Sequence, residues 1–220
     1  MIGASRRGGR KLFLTTAFVL TVVAWGADPA GSRAAESCRA VPGRTKVGAV
    51  TRIIHTSVFV DSRYAQTAPC DLFAGDELRT DSRGEAVVQL ADRGRATICS
   101  VFQRARLRFY SRPTSLPVSS LRVITFSEAG RTWCSTKGSF KSPFVAVQAM
   151  LSTASSIFGV EIDRETVLIK VFSGTLHVSQ AREVDVGPGK AILVSPTGMI
   201  TGPRRARFDA TDRLALARVS

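Results

Sequence analysis

Acidic residues beside arginines, between residues 77 and 95, are the first candidates for chemistry in this sequence. Two neighbouring carboxylates can carry out general acid–base catalysis. Here each carboxylate lies at a turn or on the polar side of an alternating segment, where an exposed ion pair contributes only about 0–1 kcal/mol. The sequence therefore predicts a structural role, as solvated ion pairs, for Glu77, Asp81, Glu85 and Asp92.

Two histidines and one glycine-rich segment offer the remaining catalytic or ligand-binding chemistry. His55 and His177 each fall on a predicted strand without a second ligand at a recognisable spacing, so neither a hydrolytic triad nor a zinc site is indicated. The segment GPGK, residues 187–190, lacks the spacing of a phosphate-binding P-loop and is typical of a hairpin turn. We therefore expect no catalytic residue, no metal and no cofactor, and hence no enzyme.

The cysteines predict two disulfides. No Cys-x-x-Cys pair occurs among Cys38, Cys70, Cys99 and Cys134, which argues against a zinc ribbon or a redox pair. An even number of cysteines in an exported protein indicates disulfides, and four cysteines leave three pairings open. Of these we choose Cys38–Cys70 and Cys99–Cys134, as bonds that brace loops.

The first 34 residues have the pattern of a signal peptide. A basic start that includes Arg6 and Arg7 precedes the apolar run LFLTTAFVLTVVAW, which is shorter than the about 20 residues of a membrane-spanning helix. We expect a signal helix that is cleaved near residue 26 or 34, followed by a linker over residues 35–45. The protein would then be periplasmic or secreted, whereas an uncleaved signal would anchor it to a membrane.

The net charge of +14 points to an anionic partner. Two groups of arginines carry much of it, one in the alternating segment 104–108, where a strand would present them on one face, and one in the segment 204–207. A solvated surface is the ordinary explanation. The functional explanation is attraction to acidic polysaccharide, lipid phosphate or an acidic protein, since nucleic acid is not expected outside the cytoplasm. The candidate anion-binding residues are Arg104, Arg106, Arg108, Arg204, Arg205 and Arg207.

The elements that must position these residues are short strands. Beyond residue 45, apolar and polar residues alternate in runs bounded by Gly, Pro, Asp and Ser, for example at residues 77–80, 85–90 and 167–172. Tight turns between such runs leave little room for crossover helices. The pattern predicts an all-β fold, a compact β-roll or a short β-solenoid or sandwich of antiparallel hairpins, and the only helix expected after the signal lies over residues 207–218.

Several segments together resemble the FecR domain, the extracytoplasmic module named after the bacterial iron-dicitrate transport regulator. GDELRT, followed by GEA and LAD, is similar to the opening of that family, and EAGRTW is similar to its central turn. The segment SSIFGV departs from the family's Gly-Thr-x-Phe-x-Val. The matching segments in full are residues 75–80, 84–86, 90–92, 128–133, 143–147, 161–178 and 187–190.

This resemblance covers about residues 46–197 and leaves residues 198–220 as a basic tail. It implies a β-rich fold, an extracytoplasmic location and no catalytic residue. We expect no counterpart of the sigma-regulating segments of the family's regulators, so sigma regulation is not expected to transfer. The sequence thus predicts a binding or sensing module of the cell envelope, with an envelope protein or an anionic polymer as its partner. The alternatives are a structural protein that adheres to anionic surfaces and, last, an enzyme with a concave pocket.

Overall fold

A computed structural model describes residues 42–55, 58–65, 67–92, 95–111, 123–136, 140–143, 150–153, 155–164 and 166–220. In this part of the chain, antiparallel strands form two sheets and a helix follows at the C-terminus. The large sheet contains β1 (Lys46–His55), β2 (Val58–Val60), β3 (Arg63–Tyr64), β4 (Cys70–Phe73), β5 (Glu77–Thr80), β6 (Glu85–Asp92), β7 (Arg95–Ser111), β8 (Val123–Thr136), β11 (Ser156–Asp163), β12 (Thr166–Ser173), β15 (Lys190–Val194) and β16 (Ile200–Arg205). The small sheet contains β9 (Phe140–Pro143), β10 (Met150–Thr153), β13 (Leu176–Ser179) and β14 (Glu183–Val186), and the helix is α1 (Ala210–Val219).

Hairpins between neighbouring strands build most of the large sheet. Its main path runs β16-β15-β12-β11-β8-β7-β5-β2-β3, while β1, β4 and β6 branch from it. The long strand β7 pairs with β6 through its first half and with β5 through its second half. These observations confirm the predicted all-β fold of antiparallel hairpins with a short C-terminal helix.

Alternation along the strands decides which side chains enter the core. On β11, Phe158, Val160 and Ile162 are buried, whereas Ile157 and Glu161, on the opposite face, are only half-buried. The buried face belongs to the main hydrophobic core, which side chains of the small sheet share. We call the opposite face of the large sheet its outer face.

The C-terminal segment covers part of this outer face. Strand β16 pairs with β15 at the edge of the large sheet, and α1 then packs in a second apolar cluster that contains Phe102 and Trp133. Asp209 caps the helix by accepting a hydrogen bond from the backbone N–H of Asp212, whose side chain accepts from the N–H of Asp209 in return. The basic tail predicted for residues 198–220 thus contains a sheet strand and a docked helix.

Some of the predictions fall on other parts of the chain. The signal peptide at residues 1–34, the linker up to residue 41, Cys38, and residues 144–147 of the FecR-like motifs lie outside the described residues. Among the helices of the described part, none has the length and apolar character needed to span a membrane.

Candidate functional site

Arginines on the outer face of β5 and β7 form the strongest candidate site. The register of these strands places Arg79 opposite Arg106 and Glu77 opposite Arg108. Between them, Leu78 and Leu107 are fully buried in the core (no more than 1 % exposed). Because burial of these leucines fixes the strand faces, the intervening charged side chains must point outward. We call the surface formed by Glu77, Arg79, Arg104, Arg106, Arg108 and Glu128 the arginine cleft.

A bulge interrupts the alternation that the sequence suggests for Arg104. Gln103 and Arg104 have positive φ angles of 58° and 61°, and the pairing of β7 with β8 shifts register at this point. The backbone N–H of Ala105 donates to Thr80 Oγ1 at 3.0 Å, which holds the bulge in place. Gly130 lies against it so closely that a Cβ atom would come within 2.4 Å of Ala105 Cα. Arg104 is therefore presented at a fixed, exposed bend.

Two glutamates hold the arginines of β7. Arg106 Nη2 lies 2.9 Å from Glu77 Oε2, and its Nε lies 3.2 Å from Glu128 Oε2. Arg108 Nε lies 3.1 Å from Glu77 and 2.9 Å from Glu128, while Arg79 Nε is 3.7 Å from Glu77. The sequence predicts a solvated ion pair for Glu77. In the structure, Glu77 instead contacts three arginines and is the centre of a mixed-charge network.

Two open depressions lie over this network and share Arg79 and Arg106. One, of about 500 Å³, is lined in addition by Asp61, Gly75 and Arg108, and the other, of about 460 Å³, by Asp81 and Arg104. The side chains of Arg79, Arg106 and Arg108 remain 53 %, 43 % and 40 % exposed. In the described part of the chain, Arg104 forms no ion pair, so it is available to a ligand.

The second predicted group, Arg204, Arg205 and Arg207, lies elsewhere. Arg204 and Arg205 are exposed on the edge strand β16, and Arg207 is exposed in the segment before α1. Strand β16 is five positions from β7 in the sheet order, which is about 24 Å along the sheet at about 4.8 Å per strand. The structure therefore separates the six candidate arginines into two surfaces.

One disulfide joins the two longest strands. Cys99 and Cys134 occupy opposite positions on β7 and β8 and are bonded to each other, as predicted. Cys70 is also disulfide-bonded, and its predicted partner, Cys38, lies outside the described residues. The Cys99–Cys134 bond lies beneath the outer face, where it ties together the strands that carry the arginine cleft and the docking surface of α1.

The two histidines do not come together. His55 is exposed on β1 of the large sheet, whereas His177 is on β13 of the small sheet. His177 Nδ1 lies 2.6 Å from Asp185 and Nε2 lies 3.8 Å from Glu183, so the two carboxylates face different ring nitrogens. The described residues contain no group of three His, Cys, Asp or Glu side chains that could hold a metal ion. The register of the β13–β14 hairpin was the signal that could have revealed the His177–Asp185 pair.

A buried ion pair fastens α1 to the outer face. Lys170 Nζ donates to Asp212 Oδ2 at 2.7 Å, and the two side chains are only 9 % and 2 % exposed. The indole Nε1 of Trp133 donates to the other oxygen of Asp212 at 3.0 Å. The ring lies against Gly159, where a Cβ atom would approach Trp133 Cε2 to 2.5 Å. A side chain at residue 159 would therefore displace the indole that receives the helix.

Arg131 extends this network to the start of α1. Its guanidinium contacts Asp209 at 2.6 Å and Glu161 at 2.9 Å. Burial alone would lower the pKa of Arg131, but the hydrogen bond to Asp209 and the charge of Glu161 outweigh burial and raise it. Burial alone would raise the pKa of Asp209, but the N–H of Asp212 and the Arg131 guanidinium hold that pKa below its ordinary value.

Asp76, in the first FecR-like segment, has a structural role. Its carboxylate accepts a hydrogen bond from the backbone N–H of Phe73 at 2.8 Å and another from Arg44. Burial raises the pKa of Asp76, and the neighbouring Asp61 adds to this rise, while the two hydrogen bonds oppose it. Asp76 therefore stabilises the turn next to the arginine cleft without being part of it.

Comparison with known proteins yields two solved structures. No protein-family model matches the chain, and no curated protein matches it. Two crystal structures of a "putative anti-sigma factor" from Parabacteroides distasonis ATCC 8503 are similar to it at 20% sequence identity, with TM-scores of 0.49 and 0.47. The matches cover 63% and 60% of this chain, and the chain spans 64% and 61% of the chains in those two structures.

Proposed function

We propose that this chain is an exported, non-enzymatic binding or sensing module of the bacterial cell envelope, built on a FecR-like β domain. The observation that carries the proposal is the arginine cleft, in which strand pairing sets guanidinium groups side by side over open depressions. Guanidinium groups match carboxylate and phosphate oxygens through paired N–H donors. The cleft therefore suits an anionic ligand.

The acidic residues in the cleft favour selective binding over general adhesion. Glu77 and Glu128 hold Arg106 and Arg108 in place, so a ligand meets donors that are already oriented. The same carboxylates repel any anion whose shape brings its charge close to them without contacting the guanidinium groups, because placing two negative charges together costs binding free energy. A uniformly positive surface would instead retain any polyanion. The mixed charge thus supports a module with a defined ligand.

Two further observations support the export and the lack of enzymatic activity that we propose. The Cys99–Cys134 disulfide is of a kind that persists in oxidising compartments outside the cytoplasm. The two histidines lie in different sheets, and His177 contacts Asp185 and Glu183 rather than the other histidine. In the first FecR-like segment, moreover, Asp76, Leu78 and Thr80 are buried, as expected of a motif that specifies a fold.

A structural protein that adheres to anionic envelope surfaces is the second candidate. It is favoured by the exposed Arg204, Arg205 and Arg207, for which the described residues provide no ion-pair partner. Adhesion of this kind would be unselective and strongly dependent on salt, because exposed charges act over a Debye length that falls from about 10 Å at 0.1 M to about 3 Å at 1 M.

Binding of labelled protein to isolated bacterial envelope separates the two candidates. The test variant is Arg79→Gln/Arg104→Gln, and the control is Arg52→Gln/Arg164→Gln, which removes the same charge from exposed positions outside the cleft. A selective module predicts saturable binding that weakens at least about tenfold in the test variant, since a hydrogen bond to a charged group contributes about 1.5–3 kcal/mol. The control should bind like the wild type.

Two outcomes would contradict the proposal. Binding that does not saturate and weakens equally in both variants would favour unselective adhesion. Saturable binding that is unchanged in Arg79→Gln/Arg104→Gln would show that the ligand site lies outside the arginine cleft.

A further inference from the structure

We propose that a second surface, the basic corner formed by Phe172, Lys190, Arg204, Arg205 and Arg207, rests against an anionic phospholipid bilayer. This inference is independent of the arginine cleft, because it concerns the edge strand β16 and its neighbours, whereas the cleft lies on the interior strands β5 and β7. It rests on where the backbone places these residues, on their charge and on one exposed aromatic ring.

Backbone pairing brings the basic corner together from three parts of the chain. The N–H of Gly189 donates to the carbonyl of Val171 at 2.8 Å, and the N–H of Ala206 donates to the carbonyl of Gly189 at 2.8 Å. Lys190 and Arg205 are direct partners across the β15–β16 pair. The end of β12, the start of β15 and the end of β16 therefore meet at one place.

The charge of the basic corner is not neutralised by the described residues around it. Lys190, Arg204, Arg205 and Arg207 are all exposed, and none forms an ion pair within the described part of the chain. The acidic residues that lie near in sequence have other partners: Asp185 contacts His177, and Asp209 contacts Arg131. The corner thus presents four cations to the surroundings.

An exposed aromatic ring accompanies these cations. Phe172 is 46 % exposed, and one edge of it packs on Phe208 with ring centroids 5.8 Å apart. Lys170 lies two residues earlier on the same face of β12 and is buried beneath α1. Phe172 therefore lies where the helix no longer covers this face. A basic surface with an exposed aromatic side chain is typical of proteins that lie on an anionic membrane interface.

The geometry of β16 favours a bilayer over a peptide strand. An added strand would need regular donors along this edge, but Pro203 has no N–H and Gly202 has a φ of +112°. Neither depression of the arginine cleft reaches the corner. An exposed edge that carries cations suits the phosphate groups of a bilayer surface, because charge complementarity there requires no fixed register.

Sedimentation with lipid vesicles tests this proposal. The probes are vesicles of equimolar phosphatidylglycerol and phosphatidylcholine, and vesicles of phosphatidylcholine alone. Each arginine near an anionic bilayer strengthens binding about fivefold, so Arg204→Gln/Arg205→Gln/Arg207→Gln should weaken it about a hundredfold. Phe172→Ser should weaken binding without changing its dependence on salt, because it removes no charge.

The matched control is Arg52→Gln/Arg83→Gln/Arg164→Gln, which removes the same charge from exposed positions outside both the arginine cleft and the basic corner. It should bind the anionic vesicles within about fivefold of the wild type. The proposal is wrong if both triple variants weaken equally, if neither weakens, or if phosphatidylcholine alone is bound as well as the mixture. Neither triple variant alters the arginine cleft, so failure here leaves the envelope-binding experiment unaffected.

Discussion

Replacing Asp212 tests whether the buried ion pair holds α1 on the sheet. In Asp212→Ala, Lys170 keeps Glu161, whose oxygen lies 3.5 Å from Nζ, as its one ion-pair partner among the described residues, and Trp133 Nε1 loses its acceptor. Breaking a buried pair costs about 3–5 kcal/mol, and leaving a buried donor without a partner costs about 1–3 kcal/mol. Since Glu161 compensates part of the charge, we expect a total loss of about 4 kcal/mol in the free energy of unfolding.

Thermal unfolding followed by tryptophan fluorescence measures this loss. For a chain of this size, about 1 kcal/mol lowers Tm by about 2–4 °C, so Asp212→Ala should lower it by about 8–16 °C. In protein that begins at residue 35, Trp133 is the only tryptophan, and it is 1 % exposed. If α1 detaches before the sheet unfolds, the fluorescence of Trp133 should shift toward that of an exposed indole while the β-sheet signal in circular dichroism persists.

A double-mutant cycle isolates the pair itself. Asp212→Asn keeps an oxygen for Trp133, and Lys170→Met keeps the aliphatic stem of the lysine. The double variant carries neither charge, so it should be more stable than the sum of the two single losses predicts, with a coupling free energy of about 1–3 kcal/mol. A coupling below about 0.5 kcal/mol, together with an unchanged Tm for Asp212→Ala, would refute the assignment of α1 docking to this ion pair.

Three shorter predictions address other parts of the structure. Peptide mapping without reduction should find Cys70 joined to Cys38; a free Cys38 thiol would contradict this. The pKa of Asp209 is lowered in the fold, so its carboxylate stabilises the protein at pH values above its unfolded pKa of about 3.9 and loses that effect as the pH falls. Asp209→Asn should therefore make the decline of Tm below about pH 4 less steep, and an unchanged decline would count against this prediction. Gly159→Ala should lower stability by about 1–3 kcal/mol through overpacking against Trp133, measurable by urea unfolding; wild-type stability would show that the indole can move freely.

The strand pattern could be predicted from the sequence because it depends on local alternation and on turn residues. Residues 77–80 form a strand as predicted, and the predicted helix over residues 207–218 is observed at Ala210–Val219. Period and turn chemistry are sufficient for such features. The Cys99–Cys134 bond, one choice among three pairings, is formed between opposite positions on β7 and β8 that are 35 residues apart in sequence.

The remaining features depend on contacts that local patterns do not encode. The bulge at Gln103 and Arg104 uses positive φ angles at two residues that are not glycine, so the segment 103–108 reads as a regular strand. Asp212 meets Lys170 across 42 residues of sequence, and Asp209 meets Arg131 across 78. The sequence does not show these long-range partners, so it identifies residues 198–220 only as a basic tail.

The segment GDELRT shows how one strand can supply both the fold and the candidate site. Asp76, Leu78 and Thr80 are buried, where they hold a turn, fill the core and fix the bulge at Ala105. Glu77 and Arg79 alternate with them and enter the arginine cleft. Because a strand sends successive side chains to opposite faces, the residues that build the fold and those available to a ligand are different residues. Substitutions at residues 77 and 79 can therefore change the ligand without altering the fold.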